Sequence, residues 1–206
     1  MQDQTAHSIK LQRYYKYHST IYDATRWSFL FGRQQFLSSL PELMSQPRIL
    51  EIGCGTGNNL QLLEYFYPDA SITGVDLSED MLEKASRKVG NSKELNLMQF
   101  RYGSEGPDWD PFDLVVLSYS LTMIGENIDT ILQHVHEDLN PNGYIAVIDF
   151  HDTPFKWFRR WMWHNHVSMD GTILPMLKKY FTEEKVSLNK AYFGFWKYFT
   201  FLGKRS

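Results

Sequence analysis

From Pro47 onward, short and mostly apolar runs alternate along the chain with longer stretches whose apolar residues recur at helical spacing. The short runs are Arg48–Ile52, Ser71–Asp76, Leu97–Arg101, Phe112–Leu117 and Tyr144–Asp149. Runs of this kind, bounded by turn residues, suit strands buried on both faces of a parallel sheet. The stretches between them predict helices over Asn58–Tyr67, Glu79–Lys88 and Asp129–Leu139. Pro68-Asp69 stops the first, Gly90-Asn91 the second and Asn140-Pro141-Asn142-Gly143 the third. Ser78 is a suitable N-cap for the second, with acids in its first turn. Alternating strands and helices predict βαβ units. The end of the chain departs from this pattern. Val186–Tyr192 and Phe195–Leu202 read as two strands about a short Gly194 turn, an antiparallel hairpin at the sheet edge. At the other end, Tyr14–Leu43 reads as helical, with Ile21, Trp27, Leu30, Phe31 and Leu37 at mixed helical spacing.

The turn after the first strand carries the clearest chemistry. Glu51-Ile52-Gly53-Cys54-Gly55-Thr56-Gly57-Asn58 places glycines at alternate positions, and the second strand ends in Asp76. Glycines permit a tight turn and close approach of backbone to a ligand. A strand-end acid can accept from both hydroxyls of a ribose. The pair predicts a nucleoside-binding crevice. A dinucleotide site wants Gly-x-Gly-x-x-Gly with pyrophosphate on free amides. Here the third glycine comes one residue early, and Asn58 stands where it should be. Glu51 opposes a pyrophosphate but suits a ligand bearing an ammonium and a sulfonium. Cys54 is the only cysteine and fits a small-residue slot better than a nucleophile's role.

Glu-x-Gly-x-Gly-x-Gly followed by a strand-end Asp resembles motifs I and II of the class I S-adenosylmethionine-dependent methyltransferases. The resemblance implies an α/β, Rossmann-like fold. Its mostly parallel seven-stranded sheet would end in a C-terminal antiparallel hairpin and carry helices on both faces. It also implies S-adenosylmethionine as cofactor. Glu51, Gly53, Gly55, Gly57 and Asn58 would then lie against the methionine moiety and sugar, and Asp76 would hold the ribose. Leu77 and Met81 would cover the adenine, and Gly103 and Ser104 would stand near its amine, where many members carry Asp. Phe112-Asp113-Leu114-Val115-Val116 resembles motif IV, making Ser118 and Tyr119 candidates for cofactor or substrate contact. Asp113 fits a turn before the strand, and Met123 and Ile124 fit core packing.

The flanking segments bear on the acceptor. Tyr14-Tyr15, Tyr17-His18 and Ile21-Tyr22-Asp23 lead into Arg26 and Phe29–Arg33, a segment rich in polar-tipped aromatics. It is similar to the start of the methyltransferase module of betaine lipid synthases. Ile148–Asp152, Phe158–Met162, Asn165–Val167, Met169–Gly171 and Tyr192–Tyr198 extend the similarity. It implies trimethylation of the amine of diacylglyceryl-homoserine, with catalytic roles for Tyr22, His151 and Asp152 and cofactor contact by Tyr22 and Arg26. Plainer readings stand beside these. Tyr22 can be a core tyrosine, Arg26 can pair with Asp23 or Glu42, and adjacent His151 and Asp152 cannot both enter one pocket from a strand. His166 and Asp170 suit structural roles. Tyr17, Tyr22, Tyr119, Trp157 and Trp161 offer aromatic faces for a product ammonium.

Bulk properties narrow the class. At 206 residues, 43% hydrophobic and 22% charged, the chain fits a single domain, 1–206, with 1–45 as a helical lid and 46–206 as the core. A net charge of −3 offers no general attraction to nucleic acid. His164 and His166 fall on different helix faces, and no motif has metal-ligand spacing. No run approaches the roughly 20 apolar residues of a membrane span, so the expected setting is cytoplasmic. Phe155–Trp163, with aromatics and Lys156, Arg159 and Arg160, suits either peripheral contact with the inner face of a membrane or a lid helix. Two alternatives remain at this point: another amphiphilic acceptor, such as phosphatidylethanolamine or a quinone precursor, or a cofactor-binding subunit without catalysis.

Overall fold

A computed structural model describes residues 29–90, 92, 94–104, 107–124 and 127–205. One seven-stranded sheet, in the order β3-β2-β1-β4-β5-β7-β6, forms its centre. The strands are β1 (Arg48–Ile52), β2 (Ser71–Asp76), β3 (Leu95–Gln99), β4 (Phe112–Ser118), β5 (Leu139–Phe150), β6 (Thr182–Ala191) and β7 (Trp196–Lys204). The first five run parallel, and β7 is antiparallel to both β5 and β6. The predicted late hairpin is therefore the sheet edge, with β6 starting four residues earlier and β7 ending two residues later than expected, and each one residue shorter at the tip.

Among the described residues seven α-helices flank the sheet: α1 (Arg33–Leu37), α2 (Asn58–Phe66), α3 (Glu79–Val89), α4 (Leu121–Ile124), α5 (Ile128–Asp138), α6 (Lys156–His164) and α7 (Ile173–Tyr180). Side chains alternate across each strand, so the sheet supports two separate cores. Ile49, Leu114, Val116, Ala146 and Ile148 pack on one face with helical residues such as Leu60, Leu82 and Phe158. Leu50, Ile52, Val115, Leu117 and Val147 pack on the other with residues such as Leu132 and Leu177. The first face takes α1, α2, α3 and α6, and the second takes α5 and α7. Helices thus cover both faces, as expected.

Three expectations change. Of the predicted long N-terminal helix, only Arg33–Leu37 is helical among the described residues. Asn140–Gly143 does not separate α5 from β5, because β5 begins at Leu139. Its pairing with β4 jumps from Phe112↔Leu139 to Leu114↔Tyr144, so the turn residues form a bulge inside the strand. Asn142 carries its positive φ of 65°, and Asp113 holds the bulge by accepting from the Asn140 amide at 2.8 Å and from the Arg48 backbone N–H at 2.8 Å. Asp113 is thus a latch between strands and lies inside β4, not in a turn before it. Third, β3 begins at Leu95, two residues earlier than its apolar pattern indicates. Edge position explains the weak signal, since its residues are only partly buried.

Candidate active site

In an open α/β sheet the ligand crevice forms at the carboxyl ends of the strands, where the strand order reverses. Here that point lies between β1 and β4. Their C-terminal ends deliver the glycine turn and Ser118, respectively. A crevice of about 1010 Å³ opens there, walled by the turn, the start of α2 and the segment around α1.

The turn is built for close approach. Gly53 and Cys54 both donate to the Val75 carbonyl, at 2.8 and 3.0 Å, which ties the turn to β2. Gly53, Gly55 and Gly57 all have positive φ, at 75°, 53° and 78°. A Cβ on Gly53 would stand 2.9 Å from Ser120 Cβ, and one on Gly57 would stand 3.2 Å from the Ala85 backbone. At Gly55 a Cβ would meet nothing within 4 Å, so the space beside it is open for a ligand. Lys88 reaches across from α3 to donate to Asn58 Oδ1 at 2.6 Å.

Glu51 is the unusual group. It is 1% exposed, on the same face of β1 as Ile49, and accepts from Asn59 Nδ2 of α2 at 2.7 Å. Among the described residues its second oxygen, Oε2, has no hydrogen-bond partner, nor have Asn59 Oδ1, Ser118 Oγ and Ser120 Oγ. Burial pushes the Glu51 carboxyl up from 4.5 to about 8, against the lowering effects of Asn59 and the charge of Arg33. Buried polar atoms without partners cost free energy unless something satisfies them. Orphaned oxygens, open space at Gly55 and an acid with a cation-seeking oxygen fit a ligand that carries positive charge and hydroxyls.

Asp76 supports the turn from β2. Its Oδ2 accepts from the Gly55 N–H at 2.9 Å and its Oδ1 from the Ser78 N–H at 2.9 Å. A carboxylate oxygen can accept more than one hydrogen bond, so these contacts with the turn are compatible with the expected place of Asp76 beside a ribose. Ser78 Oγ in turn caps α3 at the Met81 N–H, 3.4 Å away. Met81, 2% exposed, lines the crevice, whereas Leu77 does not. Cys54 fills a slot beside Gly74 and is 6% exposed, and burial pushes its thiol far above its usual range. Its reading as a packing residue stands.

Other expected positions fall elsewhere. Gly103 and Ser104 line a separate cavity of about 120 Å³ with Tyr102 and His134. Gly103 owes its identity to a φ of 88° and to Ile131, which would stand 2.8 Å from a Cβ. Tyr119 is fully buried, with a positive φ of 54°, and its hydroxyl donates to the Phe31 carbonyl at 2.7 Å. It braces the segment before α1 and presents no face to a ligand. His151 packs edge-on to Phe199 at 6.2 Å, on the α5/α7 side of the sheet and away from Glu51. Asp152 pairs with Lys197 at 3.2 Å, and neither residue lines the crevice. Tyr17, Tyr22 and Arg26 lie outside the described residues.

Several crevice residues escaped the sequence reading. Arg33 and Gln35 of α1, Thr56 and Asn59 all line it. Asn59 is the second residue of α2 and meets Glu51, eight positions earlier on β1, only because the glycine turn folds the helix start back over the strand end. Asp149 is also fully buried and accepts from Thr122 Oγ1 at 2.6 Å, the Thr122 N–H at 3.2 Å and the Phe150 N–H at 2.8 Å. Burial raises its carboxyl to about 6, less than for Glu51, because these donors favour the charged form.

Comparison with known proteins agrees with this geometry. Residues 50–145 match the family described as Methyltransferase domain. Trans-aconitate 2-methyltransferase of Streptomyces avermitilis is 33% identical over 114 residues, covering 53% of this chain and 42% of that protein. The chain therefore spans less than half the length of this relative. Among solved structures, phosphoethanolamine N-methyltransferase 2 of Haemonchus contortus, in complex with S-adenosylhomocysteine, superposes with a TM-score of 0.73 at 15% identity, covering 84% of this chain and 52% of that one. The N-methyltransferase NodS of Bradyrhizobium japonicum, also bound to S-adenosylhomocysteine, gives 0.64 at 18% identity, covering 78% of each. A little under half of the chain thus matches a methyltransferase family model, and its fold is that of methyltransferases of known structure.

Proposed function

We propose that the chain transfers methyl groups from S-adenosylmethionine to the amine of an amphiphile, with diacylglyceryl-homoserine as the favoured acceptor and a betaine lipid as product. The observation that carries the methyl-transfer reading is Glu51 with its unpartnered Oε2, set beside the glycine turn and Asp76. When bound, S-adenosylmethionine supplies a methyl group on a positively charged sulfur. Glu51 would face that ligand's positive charge, Asp76 its ribose, and Gly55 would let the backbone approach it. Displacement in line at the sulfur asks the protein mainly to position the partners and exclude water. The acceptor amine must arrive neutral.

An amphiphilic acceptor is supported by the wall next to the crevice. Phe29 stacks on Trp196 at 5.2 Å, and Phe31 meets Tyr192 at 4.9 Å, immediately before the crevice residues Gly32 and Arg33. Apolar and aromatic faces suit both acyl chains and a trimethylammonium product. Tyr22 and Arg26 remain part of the proposal as contacts to cofactor or head group. The test is incubation of the purified chain with labelled S-adenosylmethionine and, separately, diacylglyceryl-homoserine, phosphatidylethanolamine and a quinone precursor in mixed micelles, with product masses read. Addition of three methyls to the homoserine lipid is expected. Labelling of another acceptor alone would overturn the substrate, and cofactor binding with no transfer to any of them would favour a non-catalytic subunit.

A further inference from the structure

The aromatic wall continues outward onto the protein surface. On α6, Trp157, Trp161 and Trp163 are 63%, 49% and 67% exposed, with Phe155 at 40% just before it. The turn joining β6 to β7 adds Tyr192 at 49% and Phe193 at 109%. These elements are remote in sequence and adjacent in space. Phe195, directly after the turn, has its ring 4.8 Å from Phe155, 4.8 Å from Phe158 and 5.8 Å from Trp157. Hairpin tip and helix therefore share one platform, which reaches the crevice segment through Phe31 and Tyr192.

Two further observations indicate what the platform meets. The first is backbone strain. Tyr192 and Phe193 have φ of 46° and 58°, in the left-handed region that bulky side chains avoid and that hairpin tips normally give to Gly or Asn. Phe193 is fully exposed, so its ring gains no burial within the chain to offset that cost. Strain held without internal return points to an external contact. The second is charge. Residues 153–169 and 185–196 contain Lys156, Arg159, Arg160, Lys185 and Lys190 and no Asp or Glu, in a chain whose net charge is −3; the next cation, Lys197, pairs with Asp152. Large aromatics interleaved with cations are the signature of a surface that enters the head-group layer of an anionic bilayer.

We infer that the β6–β7 tip and α6 together dock on an anionic lipid bilayer, with Phe193 and the exposed tryptophans in the interfacial layer and Lys156, Arg160 and Lys190 at the head groups. The inference rests on the reading of the acceptor as an amphiphile, since docking here would bring the crevice mouth to the membrane. No described helix is long and apolar enough to cross a bilayer, so contact is with its surface.

The test is sedimentation of the full chain with phosphatidylglycerol–phosphatidylcholine vesicles and with phosphatidylcholine vesicles alone. Neither lipid offers an amine to methylate, so docking is read apart from transfer. Binding to the anionic vesicles is expected, weakening as salt screens the charges. Lys156→Glu with Arg160→Glu should weaken it by about fivefold or more for each charge. Phe193→Asn should weaken it by about fivefold or more. Because Asn tolerates positive φ, that variant should keep or raise the melting temperature, so a lost fold cannot explain lost binding. Absence of binding to anionic vesicles, or binding that all three substitutions leave unchanged, overturns the inference. A dimer in solution that Phe193→Asn dissociates, without vesicle binding, assigns the platform to a second copy and also overturns it. Docking without methyl transfer to any acceptor leaves this inference standing while the proposed substrate falls.

Discussion

Asn59 donates to Glu51 at 2.7 Å across the mouth of the glycine turn, and among the described residues it is the only side chain hydrogen-bonded to that buried carboxyl. One hydrogen bond does not offset full burial, so the carboxyl sits at about 8 and carries its proton at pH 7. A cationic ligand beside Oε2 would drive that proton off. Calorimetry of S-adenosylmethionine binding at pH 7, in two buffers of different ionisation enthalpy, should register release of up to about one proton. Glu51→Gln should release none and bind more weakly. Equal enthalpies for the unmodified protein in both buffers would remove Glu51 from the ligand's surroundings.

The same group sets a pH dependence for the unliganded fold. In the unfolded chain Glu51 loses its proton near 4.5, whereas the folded protein holds it to about 8. Between those values the unfolded state binds fewer protons, so stability falls as pH rises and levels off above 8. Asp149 acts in the same direction, but only between 3.8 and about 6. Melting temperatures from pH 6 to 8 therefore isolate Glu51. They should decline in the unmodified protein and stay nearly flat in Glu51→Gln.

Asp76 has a structural duty beside the binding role proposed for it. Removing its carboxylate leaves the Gly55 and Ser78 amides without their acceptor, at a cost of about 1–3 kcal/mol. Loss of two charge-assisted bonds to ribose hydroxyls should weaken cofactor binding on the order of 100-fold or more. Asp76→Ala should show both effects, in thermal unfolding and in titration with S-adenosylhomocysteine. Unchanged affinity would place the nucleoside elsewhere.

The signals that were legible from sequence were those with a local physical cause. Glycines at 53, 55 and 57 announce positive φ, Ser78 with Glu79 and Asp80 announces a helix start, and the β4 run announces a strand buried on both faces. What was not legible depends on which face of the sheet a residue takes and on what lies across from it. His151 and Asp152 follow β5 directly, yet alternation sends His151 toward Phe199 and Asp152 toward Lys197. Tyr119 reads as a rim residue but turns inward to hold Phe31, a contact spanning 88 positions. Asn140–Gly143 carries every mark of a turn, and only pairing with β4 shows it to be a bulge.

Thr122 and Asp149 make a second buried contact, which holds α4 against β5. Asp149→Ala would leave the Thr122 N–H, the Thr122 hydroxyl and the Phe150 N–H without an acceptor in a fully buried place. The expected loss is about 3 kcal/mol or more in denaturant unfolding. Thr122→Val removes only one of the three donors and should cost about 1 kcal/mol. If the two substitutions cost the same, the backbone amides have found other partners and Asp149 does not anchor α4.

Gly55 and Gly57 separate the demands of the ligand from those of the fold. Both have positive φ, so Ala at either pays roughly 1–2 kcal/mol for the left-handed backbone. At Gly57 the added Cβ would also stand 3.1 Å from Ala85 Cβ and 3.2 Å from its Cα, where α2 and α3 meet. Backbone cannot move aside as a side-chain tip can, so crowding adds about 1–3 kcal/mol. At Gly55 the Cβ would enter open crevice space and crowd nothing in the chain itself. Gly57→Ala should therefore lower the melting temperature clearly more than Gly55→Ala. Gly55→Ala should instead show its main effect in titration with S-adenosylhomocysteine, as an affinity loss larger than its stability loss accounts for. If Gly55→Ala binds as tightly as the unmodified protein, the ligand does not approach the turn at that residue, and the open space beside it serves another purpose.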